Sequence, residues 1–288
     1  MRNPRRFSMR IVPNRLIQST VERLSRSMNL YLPPDVLAAL IRARRAEKKP
    51  SARNILDVII ENADCALRTG AALCQDTGTV EAYIDVGDNA AVSGGSIESA
   101  VEKGVRAAYL KNGFRASIVS DPIERKNTLD NTPVSFYFTR SRGSRIKISL
   151  MAKGGGSENV SAVKFIPPSG GWDAVGEFIL DTVRKKAPYA CAPVIVSAAV
   201  GGGFASAPLA AKKALFRKIG DRNRSAVYAA RERKLLKKIN STGIGPMGQG
   251  GSTTALDVFL TPLPSHIATL ACAVAVQCHS MRRASAVI

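Results

Sequence analysis

The stretch Leu73-Cys74-Gln75-Asp76-Thr77-Gly78-Thr79-Val80, LCQDTGTV, marks the point where the chain changes character. Upstream, after Ser51, the residues Ile55, Leu56, Val58, Ile59, Ala63 and Leu67 recur at helical spacing until Gly70 ends the run. Downstream, TVEAYIDVG alternates apolar and polar residues as a strand does. Helices before this loop and strands after it predict an α+β fold. The thiol, amide and carboxylate at the junction have two readings. One is a small buried thiol whose polar neighbours close a turn. The other is a metal-ligating thiolate whose neighbours hold a substrate.

Working outward, Leu16 to Met28 is helical in pattern, and LPPDVLAALIRARRAEKK predicts a second helix entered through Pro33 and Pro34. Asp35 falls in its first turn, where a negative charge suits the helix dipole. On the other side, SIESAVEKGVRAAYLKNG reads as helix, and VSFYFTRSRGSRIKISLMAK as two strands separated by the turn-forming RGS. GWDAVGEFILDTVRKKAP and SAPLAAKKALFRKI read as helices flanking a buried strand, APVIVSAAV. This order implies mixed β-sheets packed with helices, in one domain or a pair of subdomains. The one soft boundary is PPSGG, Pro167 to Gly171, and no internal repeat is present.

The chain has 288 residues with 45% hydrophobic and only 6% aromatic, so small and branched aliphatics must fill the core. Its 42 Lys+Arg against 22 Asp+Glu give a formal charge of +20, a field that favours anionic partners without specifying a fold. Much of it lies between Lys212 and Lys238, read as a solvated helix face, since only Phe216 and Tyr228 are interleaved for base stacking. Nucleic acid is therefore a poor partner. No stretch is long and apolar enough to span a membrane. Five widely spaced cysteines with no CxxC pair argue for reduced thiols in a cytoplasmic compartment, with Cys65 packed in its helix. The start, MRNPRRFSMR, is Arg-rich and acid-free, yet its proline and lack of an apolar face fit a disordered basic arm better than a transit peptide.

Three glycine-rich stretches invite an anion. AKGGGSEN, Ala152 to Asn159, follows a strand and frees backbone N–H groups, although its composition fits a plain loop equally. VGGGFASAP lacks a dinucleotide fingerprint, and GIGPMGQGGSTTALDV has Gly251 where a phosphate loop needs lysine. His266 and His279, the latter beside Cys278, are the only histidines, too few for a His-rich zinc site.

Taken in order, CQDTG, LKNGFRASIVSDPIERKNTLDNTP, KGGGSEN, GIGPMGQGGSTTALDV and HIATLACAVAVQCH resemble the α-subunit, or N-terminal catalytic half, of class I iron–sulfur fumarate hydratases. Iron–sulfur L-tartrate dehydratases share that architecture. The resemblance runs from about Leu16 to Arg283, leaving residues 1–10 as a basic extension and 11–288 as the catalytic domain.

The resemblance implies a 4Fe-4S cluster held by Cys74, Cys191 in YACAPV and Cys278 in QCHS, with Cys65 and Cys272 left as core thiols. Three ligands leave one iron open as a Lewis acid for a dicarboxylate, whereas four would close the cluster. It further implies substrate contacts at Gln75, Asp76, Arg115, Gly156, Asn159 and Lys164, the last two within NVSAVKF. Asp76 and His266 are the implied proton-handling groups. Fumarate and (S)-malate are the implied substrates, because KGGGSEN and GIGPMGQGG look more like fumarase, with L-tartrate the close alternative. A separate β-subunit is expected to complete the active site, as α2β2. This chain departs from the family's usual CPP with CAP, from GIGGT with AVGGGF, and from QCHAARHA with QCHSMRRASA, none of which removes a ligand. A second hypothesis keeps the scaffold and uses the +20 charge to bind nucleic acid or an acidic partner, with steep salt dependence.

Overall fold

A computed structural model describes residues 9–288; the basic arm before Met9 lies outside the described residues. Arg10, expected within that arm, instead opens strand β1 (Arg10–Pro13), which pairs in parallel with β3 (Ala90–Ser93). The Arg10 N–H donates to the Asn89 carbonyl at 2.8 Å, so the extension ends sooner than its charge implies.

The fold is α+β, in two compact units, each with its own sheet and apolar core. Unit 1 comprises the chain up to Tyr31, Thr69–Gly154 and Arg282–Ile288, and unit 2 comprises Leu32–Arg68 and Gly155–Met281. The chain passes between them at Tyr31/Leu32, Arg68/Thr69, Gly154/Gly155 and Met281/Arg282. Pro167–Gly171 carries only a 3-10 turn (Pro168–Gly170) leading into α6 (Gly171–Lys186).

In unit 1, α1 (Asn14–Leu30) buries Ile17, Val21, Leu24 and Met28 at three- and four-residue steps and packs along α4 (Ile97–Lys111). The Ser96 hydroxyl caps α4 by accepting from the Ser99 N–H at 3.1 Å. The sheet runs β10 (Arg282–Val287), β5 (Ile146–Lys153), β2 (Thr79–Gly87), β4 (Ser135–Ser141). Although RGS joins β4 to β5, those strands do not pair. β2 lies between them, parallel to β4 and antiparallel to β5. Its alternation does not give a solvated face, because Glu81 and Tyr83 are buried as well. They satisfy each other, the Tyr83 hydroxyl donating to Glu81 at 2.9 Å.

Unit 2 contains α2 (Pro34–Ala46), α3 (Pro50–Thr69, up to Arg68), α5 (Gly155–Asn159), α6, α7 (Ser206–Ala214) and α8 (Ala226–Asn240). Its sheet runs β6 (Ala162–Ile166), β9 (Leu270–Gln277), β7 (Val194–Gly201), β8 (Ala255–Leu263). β7 is buried at every position, Ser197 included, as its largely apolar run predicts. α3 buries Leu56, Ile59 and Ala63 but leaves Val58, Leu67 and Cys65 exposed, so Cys65 is not a packed thiol.

The basic run is only partly a solvated face. Arg233, Lys234, Lys237 and Lys238 on α8 are exposed. Arg217 and Arg222 instead bind buried carboxylates, at 2.6 Å to Glu232 and 2.7 Å to Asp257. Sequence reading misses this because nothing local marks Glu232, inside the basic run of α8, or Asp257, in the apolar β8, as buried, and each charge needs a counter-ion once buried.

Candidate active site

In unit 1 the CQDTG loop leads into β2 and is held from below by polar groups. The Tyr109 hydroxyl donates to the Thr77 carbonyl at 3.0 Å, and the Thr77 hydroxyl donates to the Arg115 carbonyl at 2.5 Å. Asn131 accepts from the Ser117 N–H at 2.8 Å and donates to the Gly78 carbonyl at 3.1 Å. Arg282, 1% exposed, hydrogen-bonds the Asp76 carbonyl. Gly78 has φ +72°, and a Cβ there would meet the Lys153 carbonyl at 2.6 Å, so the turn admits only glycine.

These bonds bring four expected site residues together. Cys74 and Asp76 are half-buried, while Gln75 and Arg115 are exposed. Asp76 Oδ1 accepts from the Gly78 N–H at 3.0 Å and the Ser117 hydroxyl at 3.2 Å. Asp76 therefore caps its own turn, which also fixes the orientation of its carboxylate. Ser117, Asn131, Tyr109 and Arg282 escaped the sequence reading. Their contribution is to hold the loop, and no local spacing signals it.

In unit 2 the pairing Ile195↔Gln277 puts the start of β7 and the end of β9 at one end of the sheet. Cys191 precedes β7, Cys278 follows β9, and His279 Nδ1 lies 2.8 Å from the Cys191 carbonyl oxygen. Burial pushes the His279 pKa down, partly offset by its bonds to the Cys191 and Ala192 carbonyls. Gly156 and Asn159 lie on α5 near this end. A Cβ on Gly156 would stand 3.3 Å from the Tyr189 carbonyl, and the neighbouring Ser157 donates to Gln277 at 2.8 Å. KGGGSEN is thus a helical turn rather than an open loop.

Two expected residues lie elsewhere in unit 2. Lys164 pairs with Cys272 on β9 and stands over the Phe178 ring at 5.9 Å. His266 is exposed in the loop before Leu270, and β9 separates it from Cys278 by roughly 26 Å at ordinary strand rise. Its Nδ1 accepts from the Ala268 N–H at 3.1 Å.

The third glycine stretch supports the Cys191 turn. The Met247 N–H donates to the Ala192 carbonyl at 2.8 Å, and a Cβ on Gly245 (φ +68°) would strike the Gly250 carbonyl. The amides of Gly243, Gly245, Gly248, Gln249 and Gly250 all have partners within unit 2, so this is not an anion cradle. Glu47, buried between α2 and α3, anchors the loop. It accepts from the Ser252 N–H (2.7 Å), the Ser252 hydroxyl (2.9 Å), and the Lys48 and Lys49 N–H groups (3.0 Å each).

Burial pushes the Glu47 carboxyl pKa up, but these four hydrogen bonds outweigh it and hold the pKa below its ordinary 4.5. A depressed folded pKa gives stability that is present above the ordinary value and lost as pH falls through the folded one. Glu47→Gln is therefore expected to lower the urea midpoint at pH 7, with the gap from wild type closing below about pH 4. A gap independent of pH would show that the charge does not contribute.

All five cysteines are reduced thiols, but not equivalent ones. Cys272 is buried, as expected, and desolvation pushes its pKa up to about 12, which rules it out as a ready thiolate. Cys74, Cys191 and Cys278 are exposed or half-buried, as ligands open to a metal must be. Among the described residues, no three His, Cys, Asp or Glu side chains converge on a single-ion site. A cubane differs in giving each thiolate its own iron. The donor chemistry fits an iron–sulfur cluster.

Residues 18–287 match the fumarate hydratase (Fumerase) family, and the chain belongs to it. It is thus of the hydro-lyase class. Among its relatives, the putative L(+)-tartrate dehydratase subunit alpha of Methanocaldococcus jannaschii is 38% identical over 276 residues, covering 93% of this chain and 96% of that protein. The L(+)-tartrate dehydratase subunit alpha of Escherichia coli K12 is 26% identical over 271 residues, covering 93% and 89% respectively. Among the described residues no helix is long and apolar enough to cross a membrane.

Proposed function

We propose that the chain is the cluster-bearing α-subunit of a hydro-lyase interconverting fumarate and (S)-malate, working in the cytoplasm with a separate β-subunit as α2β2. The observation that carries this reading is the sorting of the thiols. The three cysteines in ligand motifs are accessible, two of them share one sheet end, and Cys272 is shut away as a thiol. A 4Fe-4S cluster bound by Cys74, Cys191 and Cys278 supplies an open iron as Lewis acid for the substrate's carboxylate and hydroxyl.

The chain's own residues do the rest. The Arg115 guanidinium forks one substrate carboxylate through two parallel hydrogen bonds. The Gln75 amide donates to the same anion, and in unit 2 the exposed Gly156 and Asn159 leave the backbone of α5 open to substrate. Asp76, its Oδ1 already committed to Gly78 and Ser117, has its carboxylate fixed to orient or take the hydroxyl proton. Lys164 and His266 receive no role, since they lie away from the Cys191 end of unit 2. The relatives' "subunit alpha" supports the β-subunit.

The test is to co-produce the chain with its β-subunit, assemble the cluster anaerobically, and assay (S)-malate against L-tartrate. Faster turnover of (S)-malate supports the proposal. Faster turnover of L-tartrate moves the chain to the activity named for its relatives. Turnover of neither overturns the proposed activity.

A further inference from the structure

We infer that His279 is a positioning residue, a clasp that fastens the Cys191 turn to Cys278 and so presets two cluster ligands before any iron arrives. The inference rests on the ligand assignment proposed above. Cys191 has φ 52°, a left-handed conformation that a residue with a Cβ adopts only when its surroundings hold it. The Cys191 carbonyl accepts from His279 twice, from the ring Nδ1 at 2.8 Å and more weakly from the backbone N–H at 3.5 Å. A carbonyl oxygen only accepts, so Nδ1 carries the hydrogen. One side chain, adjacent to Cys278, thereby grips the backbone of Cys191 across 88 residues of sequence.

The grip has a second jaw. The next carbonyl, that of Ala192, accepts from the Met247 N–H at 2.8 Å, so the turn is held from the β9 end and from the glycine-rich loop. Cys191 is exposed and contributes no apolar burial of its own to keep the turn in place. Hydrogen bonds behind the first ligands are what orient them at metal sites, and losing one typically costs about 10–100-fold in affinity.

The experiment compares wild type, His279→Leu and His279→Asn as full chains. Asparagine places an amide N–H where Nδ1 stands, and leucine removes it. After anaerobic loading with iron and sulfide, cluster loss to a chelator is followed by absorbance. Hydrogen exchange of residues 187–195 is measured separately in the unloaded proteins. We expect His279→Leu to lose the cluster about tenfold faster or more, with several-fold faster exchange, and His279→Asn to restore both. Wild-type rates in His279→Leu on both measurements would overturn the clasp. If wild type itself takes up no cluster, the ligand assignment fails, and exchange alone decides: unchanged exchange in His279→Leu sinks the clasp, faster exchange sustains it. Should His279→Leu lose its circular dichroism, His279→Gln replaces it under the same criteria, since its longer amide reaches past the Nδ1 position.

Discussion

Cys191→Ser is expected to strip the chain of its cluster, with iron and labile sulfide falling to background after anaerobic reconstitution. Serine's hard hydroxyl is a poor iron ligand at neutral pH, and two remaining thiolates do not replace three. Lewis-acid stabilisation is worth several kcal/mol, so turnover by the assembled heteromer should fall by roughly a thousandfold or more. Cys65→Ser is the control, because Cys65 is exposed on α3 outside the ligand motifs. Equal iron in Cys191→Ser and wild type would refute the ligand assignment, whatever the activity.

The second large effect concerns stability alone. Glu232, fully buried on α8, accepts from Arg217 at 2.6 and 3.3 Å, from the Asn223 N–H at 2.9 Å and from the Leu260 N–H at 2.8 Å. Arg217 also stacks over Phe259 at 4.6 Å, so its guanidinium cannot swing freely into water. Glu232→Ala leaves that charge and two amides without their acceptor, at a cost of about 3–5 kcal/mol. Urea unfolding at neutral pH checks it, with Arg233→Ala on the exposed face of α8 expected to stay within about 0.5 kcal/mol. A loss below about 1 kcal/mol for Glu232→Ala would mean that the pair contributes little net stability.

Much of the helical framework was legible in order. The 3.6-residue periodicity of α1 to α4 and the apolar run of β7 are local properties, and the structure follows them closely. What the pattern could not show was pairing. β2 divides β4 from β5 although RGS reads like a turn between neighbours, because which strand inserts depends on contacts far apart in sequence. The same limit hid the fate of the charges. Arg217 and Lys234 look alike in a basic run, yet one meets a buried glutamate while the other is exposed.

By itself, the sequence determined the α+β class and the family, since both are written in periodicity or contiguous residues. Only the tertiary structure decided that His279 grips the Cys191 turn, that Glu47 anchors the glycine-rich loop, and that within unit 2 His266 and Lys164 lie away from the Cys191 end of the sheet. Those facts come from strand register and long-range hydrogen bonds, which join residues dozens to hundreds of positions apart. Local composition carries no record of where such partners meet.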